Sequence, residues 1–260
     1  MHTACFRLKR VPAPVLWWKG ALLIQEKTVK FWEKYKNVNL LHILEKNKAF
    51  NKFLQGWLEK KRNYFCSSPD RETFHRRLMW FYLPFIPFYI NASPGKLLNW
   101  DILERRDFFI EHSVPRVIDV GMQDGYFVRE LKKNGIDAVG VDSVKMLVNY
   151  AKKKDPSGEY YHCFAEELPF PDSTFQTAIC SHLLEHVFKP EDVLKEVRRI
   201  LKPGGKIIVV VPFNLDIEPT HLREYKNKEA IEKEVGRFFK IENYLERIGA
   251  GHGCIGIKVD

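Results

Sequence analysis

A glycine-containing loop and two aspartates give this chain its clearest chemical pattern. Residues 117–120 form an apolar run that ends in a loop carrying Gly121 and Gly125, and a helix-like segment follows. Glycines at such a turn let backbone N–H groups and the positive end of a helix approach a ligand closely. A second apolar run ends on Asp142, where a carboxylate at the tip of the next parallel strand can accept hydrogen bonds from both ribose hydroxyls. The spacing predicts a site for a ligand that contains a nucleoside.

The loop differs from the dinucleotide fingerprint G-x-G-x-x-G in a way that changes the expected ligand. Gln123 stands at the central glycine position, and no third glycine follows Gly125. Asp119 lies just before the loop, where a carboxylate repels a pyrophosphate and attracts a cation. The stretch resembles the first motif of the class I S-adenosylmethionine-dependent methyltransferases, a D-x-G-x-G-x-G loop that holds a sulfonium-bearing amino acid.

The resemblance extends over most of residues 111–260. Residues 163–187 (CFAEELPFPDSTFQTAICSHLLEHV) are similar to the family's adenine-contacting stretch and fourth strand, and residues 193–212 to its LKPGG turn and fifth strand. The resemblance implies S-adenosylmethionine as the cofactor. It implies these contacts: Asp119, Gly121, Gln123 and Gly125 at the methionine end, Asp142 and Ser143 at the ribose, Ala165 and Glu166 at the adenine edge, and Ser181 and His182 near the methyl group. Gln123 in place of glycine predicts weakened cofactor binding.

Strands and helices alternate in this part of the chain, which predicts a doubly wound, Rossmann-like α/β fold. We expect strands near 116–120, 137–142, 159–163, 176–181, 206–212, 238–244 and 254–259, and a helix at about 227–236. The resemblance implies a seven-stranded, mainly parallel sheet with an antiparallel edge. Residues 202–205 (KPGG) are expected to cap the preceding helix at its C-terminus.

Residues 1–110 are predicted to form a basic, aromatic, mostly helical extension before a methyltransferase domain at 111–260. They hold 20 of the 42 Lys and Arg residues and 9 of the 33 Asp and Glu residues, so this part carries +11 and the remainder −2. All six tryptophans lie there as well. Apolar spacings of three and four predict two helices within 25–63, a third from about Arg71 to Phe81, and a fourth over 96–111.

Three histidines are candidates for chemistry on the acceptor, because methyl transfer to a hydroxyl is helped by a base whose pKa lies near working pH. By resemblance His182 positions the cofactor. We expect His221 to act as the base or to orient the acceptor, and His186 to be a second catalytic candidate or a helix-packing residue. Arg223 and Tyr225 are expected to bind the acceptor, and the alternative for Arg223 is an ion pair on a solvated loop.

Residues 182–186 (HLLEH) also match H-x-x-E-H, a signature of zinc proteases. That interpretation requires one continuous helix and a distant third ligand. Here the motif directly follows a predicted strand, at the carboxyl end of the sheet. We therefore expect no metal and no peptidase activity.

Composition constrains the compartment and the partners. The five cysteines are widely spaced and lack a C-x-x-C pair, which predicts reduced thiols in a cytoplasmic protein. No apolar run reaches the roughly 18 residues of a membrane-spanning helix. The aromatic run 80–90 and the N-terminal tryptophans are suited to lining a pocket for a greasy substrate, to touching a membrane surface, or simply to burial.

The predicted acceptor is a small molecule, a lipid-linked compound or a glycan, methylated at oxygen. Basic charge interleaved with aromatic residues also suits RNA, where phosphates meet Lys and Arg and bases stack on rings. Nucleic acid is the less favoured partner because the sequence contains no recognisable RNA-binding module. An RNA methyltransferase and a non-catalytic, cofactor-binding scaffold are the alternatives.

Overall fold

The computed structural model describes residues 48–82, 100–213 and 221–260. Helices α1 (Lys48–Cys66), α2 (Arg71–Tyr82) and α3 (Trp100–His112) precede the sheet. The rest runs β1 (Val117–Val120), α4 (Tyr126–Lys133), β2 (Ala138–Asp142), α5 (Lys145–Lys154), β3 (Glu159–His162), β4 (Phe175–Ser181), α6 (Pro190–Ile200), β5 (Leu201–Pro212), α7 (Lys228–Val235), β6 (Lys240–Ile248) and β7 (Gly251–Ile257). The first helix expected within 25–63, and residues 83–90 of the aromatic run, lie outside the described residues.

The seven strands form one sheet in the order β3-β2-β1-β4-β5-β7-β6. Strands β1 to β5 pair in parallel, whereas β7 runs antiparallel to both β5 and β6. The winding reverses between β1 and β4, and ligands of such sheets bind outside the carboxyl ends of the strands at that point. The predicted Rossmann-like fold is confirmed, and it places the glycine loop after β1 at the switch point.

Apolar residues cover both faces of the sheet, as a parallel sheet between two helical layers requires. One core cluster joins the strands to α6 and α7, and the other joins them to α3, α4 and α5. All four residues of β1 are buried, and Asp119 among them is 2% exposed. A carboxyl group in the centre of such a strand is unfavourable for folding, which marks this position as one kept for binding.

The helix-cap expectation for residues 202–205 is wrong. Helix α6 ends at Ile200, and Leu201 already has extended backbone angles and belongs to β5. The register between β4 and β5 shifts across this stretch. Gly204, at φ +69°, donates its N–H to the Lys258 carbonyl, and the Lys258 N–H donates to the Gly205 carbonyl. Pairing with the end of the chain therefore holds these glycines, and they cap no helix.

Helix α3 crosses the boundary expected between residues 110 and 111. Its Ile102 and Phe109 are buried in the same core cluster as Val117 of β1 and Val128 of α4. The packed unit around the sheet therefore begins no later than α3. The division of the chain into 1–110 and 111–260 stays a prediction.

Within the described residues, no helix is both long and apolar enough to span a bilayer. The four cysteines in these ranges (Cys66, Cys163, Cys180 and Cys254) are free thiols. Burial raises the pKa of Cys163 and of Cys254 to about 12, so neither is a thiolate at neutral pH. This agrees with the expectation of structural thiols, and the compartment stays a prediction.

Candidate active site

The loop after β1 takes left-handed backbone geometry at three alternating residues. Gly121, Gln123 and Gly125 have φ angles of +82°, +51° and +73°. Glycine adopts this region without strain, whereas a residue with a side chain pays on the order of 1 kcal/mol. A Cβ at Gly125 would lie 2.9 Å from the Tyr160 ring, so packing between α4 and β3 also requires glycine there. Gln123 thus keeps the loop shape of the glycine pattern despite its side chain.

The loop after β4 meets the glycine loop across the switch point. A Cβ at Gly121 would lie 3.1 Å from Cδ1 of Leu183, so the leucine covers the first glycine. His182 has a φ of +53°, and its N–H donates to the Val210 carbonyl of β5 at 2.8 Å. Burial lowers the pKa of His182 well below its usual value, which keeps this imidazole neutral near pH 7.

Two buried carboxyl groups line the crevice between the strand ends. The pKa of Asp119 is raised to about 7, mainly by desolvation and also by the negative charges of Asp142 and Asp124. The Oδ2 atom of Asp119 is buried and accepts no hydrogen bond from the described residues. Desolvation also raises the pKa of Asp142 to about 6, although backbone hydrogen bonds oppose that shift. Both groups titrate near working pH, so a cationic ligand would stabilise their ionised forms.

Asp142 is held in place by the backbone on either side of the crevice. Its Oδ2 accepts the N–H of Gln123 at 2.9 Å, and its Oδ1 accepts the N–H of Val144 at 2.8 Å. Ser143 lies between these contacts, and its carbonyl is 3.0 Å from Nε2 of His162. Each carboxylate oxygen retains a second lone pair, so Asp142 can still accept hydrogen bonds from ribose hydroxyls.

The predicted adenine edge lies under helix α2. The Glu166 side chain is 1% exposed, and its Oε1 is 3.5 Å from Nε2 of His75. The His75 ring stacks on Phe164 with centroids 4.0 Å apart. In the part of the chain that the structure describes, neither carboxylate oxygen of Glu166 accepts a hydrogen bond, and Ala165 packs against the sheet core beside it. The front helices therefore close over the segment that follows β3.

The polar atoms of this crevice match the donors of S-adenosylmethionine. Within the described residues, Oδ2 of Asp119 and both carboxylate oxygens of Glu166 lack hydrogen-bond donors, and Asp142 has lone pairs to spare. An ammonium group, two ribose hydroxyls and an adenine amino group are all donors, and the ammonium and sulfonium are cations. Buried acceptors without donors cost free energy until a ligand satisfies them. The residues present therefore fit the cofactor that the resemblance implies.

Arg105 also reaches this edge of the sheet, and the sequence pattern did not indicate it. Its guanidinium is buried, donates to Ser181 Oγ at 3.1 Å and pairs with Asp101 at 2.7 Å. Asp101 in turn accepts the N–H of Ala250, which fixes α3 against the end of β7. The positive charge of Arg105 lowers the pKa of Asp119 in part, so it keeps some ionised form in the crevice.

A second group of ionisable side chains lies beyond β4, and we call Glu185, His186 and His221 the acceptor-side cluster. The Glu185 side chain is 1% exposed, and burial raises its pKa to about 8. The rings of His186 and His221 meet edge to face at 4.7 Å between centroids. Residues 182–189 form bends and turns, so the continuous helix that the zinc-protease motif needs is absent there.

Arg223 and Tyr225, the predicted acceptor-binding residues, follow His221 in the chain. The Arg223 guanidinium donates to the carbonyls of Leu184, Val187 and Phe188 at 2.6–3.0 Å. It therefore braces the turn that carries the acceptor-side cluster. Tyr225 is 6% exposed, and its buried hydroxyl has no hydrogen-bond partner among the described residues. A role for either side chain in holding the acceptor stays a prediction.

Comparisons with known proteins agree with this geometry. Residues 118–209 match the model of a methyltransferase domain. The chain is 26% identical to the mitochondrial ubiquinone biosynthesis O-methyltransferase of Schizosaccharomyces pombe, over 66% of each chain. It is 30% identical to a phosphatidylethanolamine N-methyltransferase of Cereibacter sphaeroides, over 47% of this chain and 59% of the relative. The matched regions thus span less than two thirds of the length of either relative.

A solved structure shares the fold over a similar region. An S-adenosylmethionine-dependent methyltransferase of Aquifex aeolicus superposes with a TM-score of 0.53 at 21% identity, over 65% of this chain and 98% of that one. The matched domain begins in β1 and ends in β5, so it contains the glycine loop, Asp142 and the loop after β4. Residues 118–209 of this chain therefore form a methyltransferase domain, and the buried carboxyl groups in that region resemble the cofactor site of the class I S-adenosylmethionine-dependent methyltransferases.

Proposed function

We propose that this methyltransferase transfers a methyl group to a hydroxyl oxygen of a lipid-linked or small-molecule acceptor. One observation carries the proposal: beyond the loops that follow β1 and β2, a separate cluster brings together one buried carboxyl group, the buried imidazole of His221 and the partly buried imidazole of His186. The cofactor, when bound, supplies an electrophilic methyl group. The protein's remaining task is to align the acceptor and to manage its proton.

The cofactor side of the crevice would bind and orient. Asp142 is rigidly held by two backbone N–H groups, so it can fix the ribose without first losing rotamer freedom. Asp119 would face the cationic end of the ligand, and the loop N–H groups between Gly121 and Gly125 would face its carboxylate. This assignment predicts that charge at Asp119 controls the affinity for the cofactor.

The acceptor side would handle the proton. A hydroxyl must lose its proton as the new C–O bond forms, whereas a neutral amine needs no base before it attacks. The acceptor-side cluster offers two imidazoles near a buried carboxyl group, with His186 Nε2 3.9 Å from Glu185 Oε1. Imidazole is the side chain whose ordinary pKa best suits this exchange near neutral pH. These groups support oxygen as the methylated atom, with His221 as the first candidate for the base and His186 as the second.

The curated relatives support a lipid-linked acceptor. Their names place one in ubiquinone biosynthesis and give phosphatidylethanolamine as the substrate of the other. A lipid acceptor would also give a use to the basic, aromatic front part, which is suited to a membrane surface. Peripheral membrane contact belongs to the same proposal. A soluble small molecule or a glycan is the alternative that the experiment must separate.

Labelled-cofactor partitioning tests the proposal. The purified chain would be incubated with S-adenosylmethionine carrying a radioactive methyl group and with a cell lipid extract, an aqueous metabolite extract or total RNA. We expect label in an organic-soluble product that resists the alkaline treatment that cleaves methyl esters, as a methyl ether does. Label in RNA would replace the proposal with the nucleic-acid alternative. Intact cofactor binding without labelling of any fraction would favour the non-catalytic scaffold.

A further inference from the structure

Glu185 is a buried carboxyl group without a hydrogen-bond donor. Its side chain is 1% exposed, and neither Oε1 nor Oε2 accepts a hydrogen bond within the described residues. Arg105 and Arg223 are close enough to act on it through their charge, yet the hydrogen bonds that they donate within the described residues go to other acceptors. A carboxyl group so placed either holds a proton or awaits a positive partner.

Two histidines supply donor atoms around that carboxyl group. One oxygen of Glu185 and one ring nitrogen from each of His186 and His221 all lie within 4.8 Å of one another. His186 follows Glu185 directly, whereas His221 comes from the segment after β5. The Leu222 N–H donates to the Glu185 carbonyl at 2.8 Å and so joins the two segments. Arg223 braces the same turn through three carbonyls. Hydrogen bonds to backbone carbonyls therefore hold the two segments, and with them the three donor side chains, close together.

We propose that the acceptor-side cluster binds a divalent transition-metal cation through Glu185, His186 and His221. Two imidazole nitrogens and one carboxylate oxygen suit zinc, iron, cobalt or manganese better than magnesium, which prefers oxygen ligands. Ligands roughly 2.0–2.2 Å from a tetrahedral zinc ion lie roughly 3.4 Å apart. Side-chain rotations that move the donor atoms by about an ångström bring the three donors to that spacing. Three protein ligands leave at least one coordination position open.

This site differs from the one that H-x-x-E-H denotes in proteases. There both histidines bind zinc from one helix, and the glutamate acts as a base. Here Glu185 itself is a ligand, and the third donor, His221, lies 35 residues beyond His186 in the chain. His182 is not part of the group whose donor atoms all lie within 4.8 Å of one another, although its Nδ1 is 3.7 Å from Glu185 Oε1. The expectation of no peptidase activity is unchanged, whereas the expectation of no metal is replaced by this proposal.

The open coordination position would accept water or the acceptor. A role for the cation in methyl transfer rests on the proposed function. A divalent cation lowers the pKa of a bound hydroxyl, so it would take over from the imidazoles the task of easing loss of the acceptor's proton. The cation site itself rests on the donor geometry alone. Metal binding and methyl transfer can therefore be measured, and can fail, separately.

Calorimetric titration tests the site directly. The full chain, stripped with a chelator, would be titrated with ZnCl2 and with MnCl2, beside the variants Glu185→Gln and His221→Ala. We expect one site in the unaltered chain and at least about tenfold weaker binding in each variant. The matched controls are Glu242→Gln, an exposed glutamate on β6, and His112→Ala on α3, and both should bind as the unaltered chain does. No saturable binding of either metal, or equal binding by all five proteins, would overturn the proposal.

Two further measurements separate a lost ligand from a lost fold and from a lost activity. Glu185→Gln replaces a buried ionisable carboxyl group with a neutral amide of the same shape, so the metal-free variant should unfold at the same or a higher temperature while its metal affinity falls. Titration with S-adenosylhomocysteine should give unchanged affinity in both ligand variants. Metal binding without methyl transfer would count against the proposed function only, and methyl transfer in a chain that binds no metal would count against the metal site only.

Discussion

Gln123 donates its backbone N–H to the Asp142 carboxylate at 2.9 Å while its own φ angle is +51°. The residue that departs from the glycine pattern is thus joined to the residue that would hold the ribose. Strain at Gln123 and the orientation of Asp142 are coupled, because the hydrogen bond needs the left-handed backbone at that point.

Replacing Gln123 with glycine should strengthen cofactor binding several-fold. Glycine removes the side chain beside the loop N–H groups, so the ligand can approach the backbone more closely, whereas the roughly 1 kcal/mol of left-handed strain that it relieves stabilises the fold with and without ligand. Gln123→Ala is the matched control, since it shortens the side chain but keeps the Cβ and the strain. Calorimetry with S-adenosylhomocysteine should rank glycine above both alanine and glutamine. Equal affinities for all three would show that position 123 does not limit binding.

Asp142→Asn should weaken cofactor binding by about a hundredfold, because charge-assisted hydrogen bonds to the ribose are lost. Asparagine keeps one oxygen for a backbone N–H, so it is a cleaner change than Asp142→Ala, which leaves two N–H donors without their acceptor. The circular dichroism spectrum and the cooperative unfolding transition should be retained. A folded variant with the affinity of the unaltered chain would remove Asp142 from the binding site.

Cofactor affinity should fall as the pH drops from 8 to 6. The pKa of Asp119 is raised to about 7 and that of Asp142 to about 6, and the cationic ligand prefers both groups ionised. One unit below its pKa a group is only about one tenth ionised, so the loss by pH 6 should reach about tenfold or more. In the Asp119→Asn variant, cofactor affinity should depend less on pH and should be weaker over the whole pH range. An unaltered slope in that variant would assign the titration to another group.

The contribution of Asp119 to the stability of the cofactor-free chain should fall as the pH rises, whereas cofactor affinity should increase. The pKa of Asp119 is raised from 3.8 in the unfolded chain to about 7 in the fold, so the folded state holds the proton more tightly. Between about pH 4 and 7 its contribution to the free energy of unfolding declines as the pH rises. The gain in stability on Asp119→Asn should therefore be larger at pH 8 than at pH 5 in urea unfolding. A gain that is constant with pH would contradict this burial cost.

His221→Ala should lower kcat much more than it changes the affinity for S-adenosylhomocysteine. His221 belongs to the acceptor-side cluster, whereas the predicted ribose and methionine contacts come from the loops after β1 and β2. Single-turnover rates with saturating cofactor, beside calorimetry, separate the two effects. Asn227→Ala offers a control for damage to the neighbouring segment, because it removes only the N-cap of α7. If both variants lose activity equally, His221 has a structural role.

Local patterns were sufficient for the fold because each strand-turn-helix unit is encoded by neighbouring residues. The runs ending at Val120 and Asp142 were recognised from apolar residues and glycines alone. The KPGG segment was misjudged because its glycines satisfy the local signal for a helix C-cap, while the observed contacts come from Lys258 at the far end of the chain. In this segment the local preference for a helix C-cap is overridden by strand pairing with residues distant in the sequence.

The site was harder to predict because its ionisable groups come from distant segments. Arg105 contacts Ser181 across 76 residues, and on sequence it was one of 20 Lys and Arg residues in the first 110 positions. On sequence Glu185 stands out only within a linear zinc-protease motif, whereas His186 is also a candidate for catalysis. Their partner His221 was assigned a different role, because spacing along the chain carries no information about which loops meet at a sheet edge.

The stacking of His75 on Phe164 bears on how this protein can be dissected. Its neighbour Arg71 pairs with Glu167 at 2.9 Å, and Phe74 packs near Phe188. A fragment that begins at residue 118 would lack both helix α2 and the guanidinium of Arg105, and Glu166 would be exposed to water. The shortest fragment worth expressing therefore starts upstream of α2, well before residue 118, where the matched domain begins.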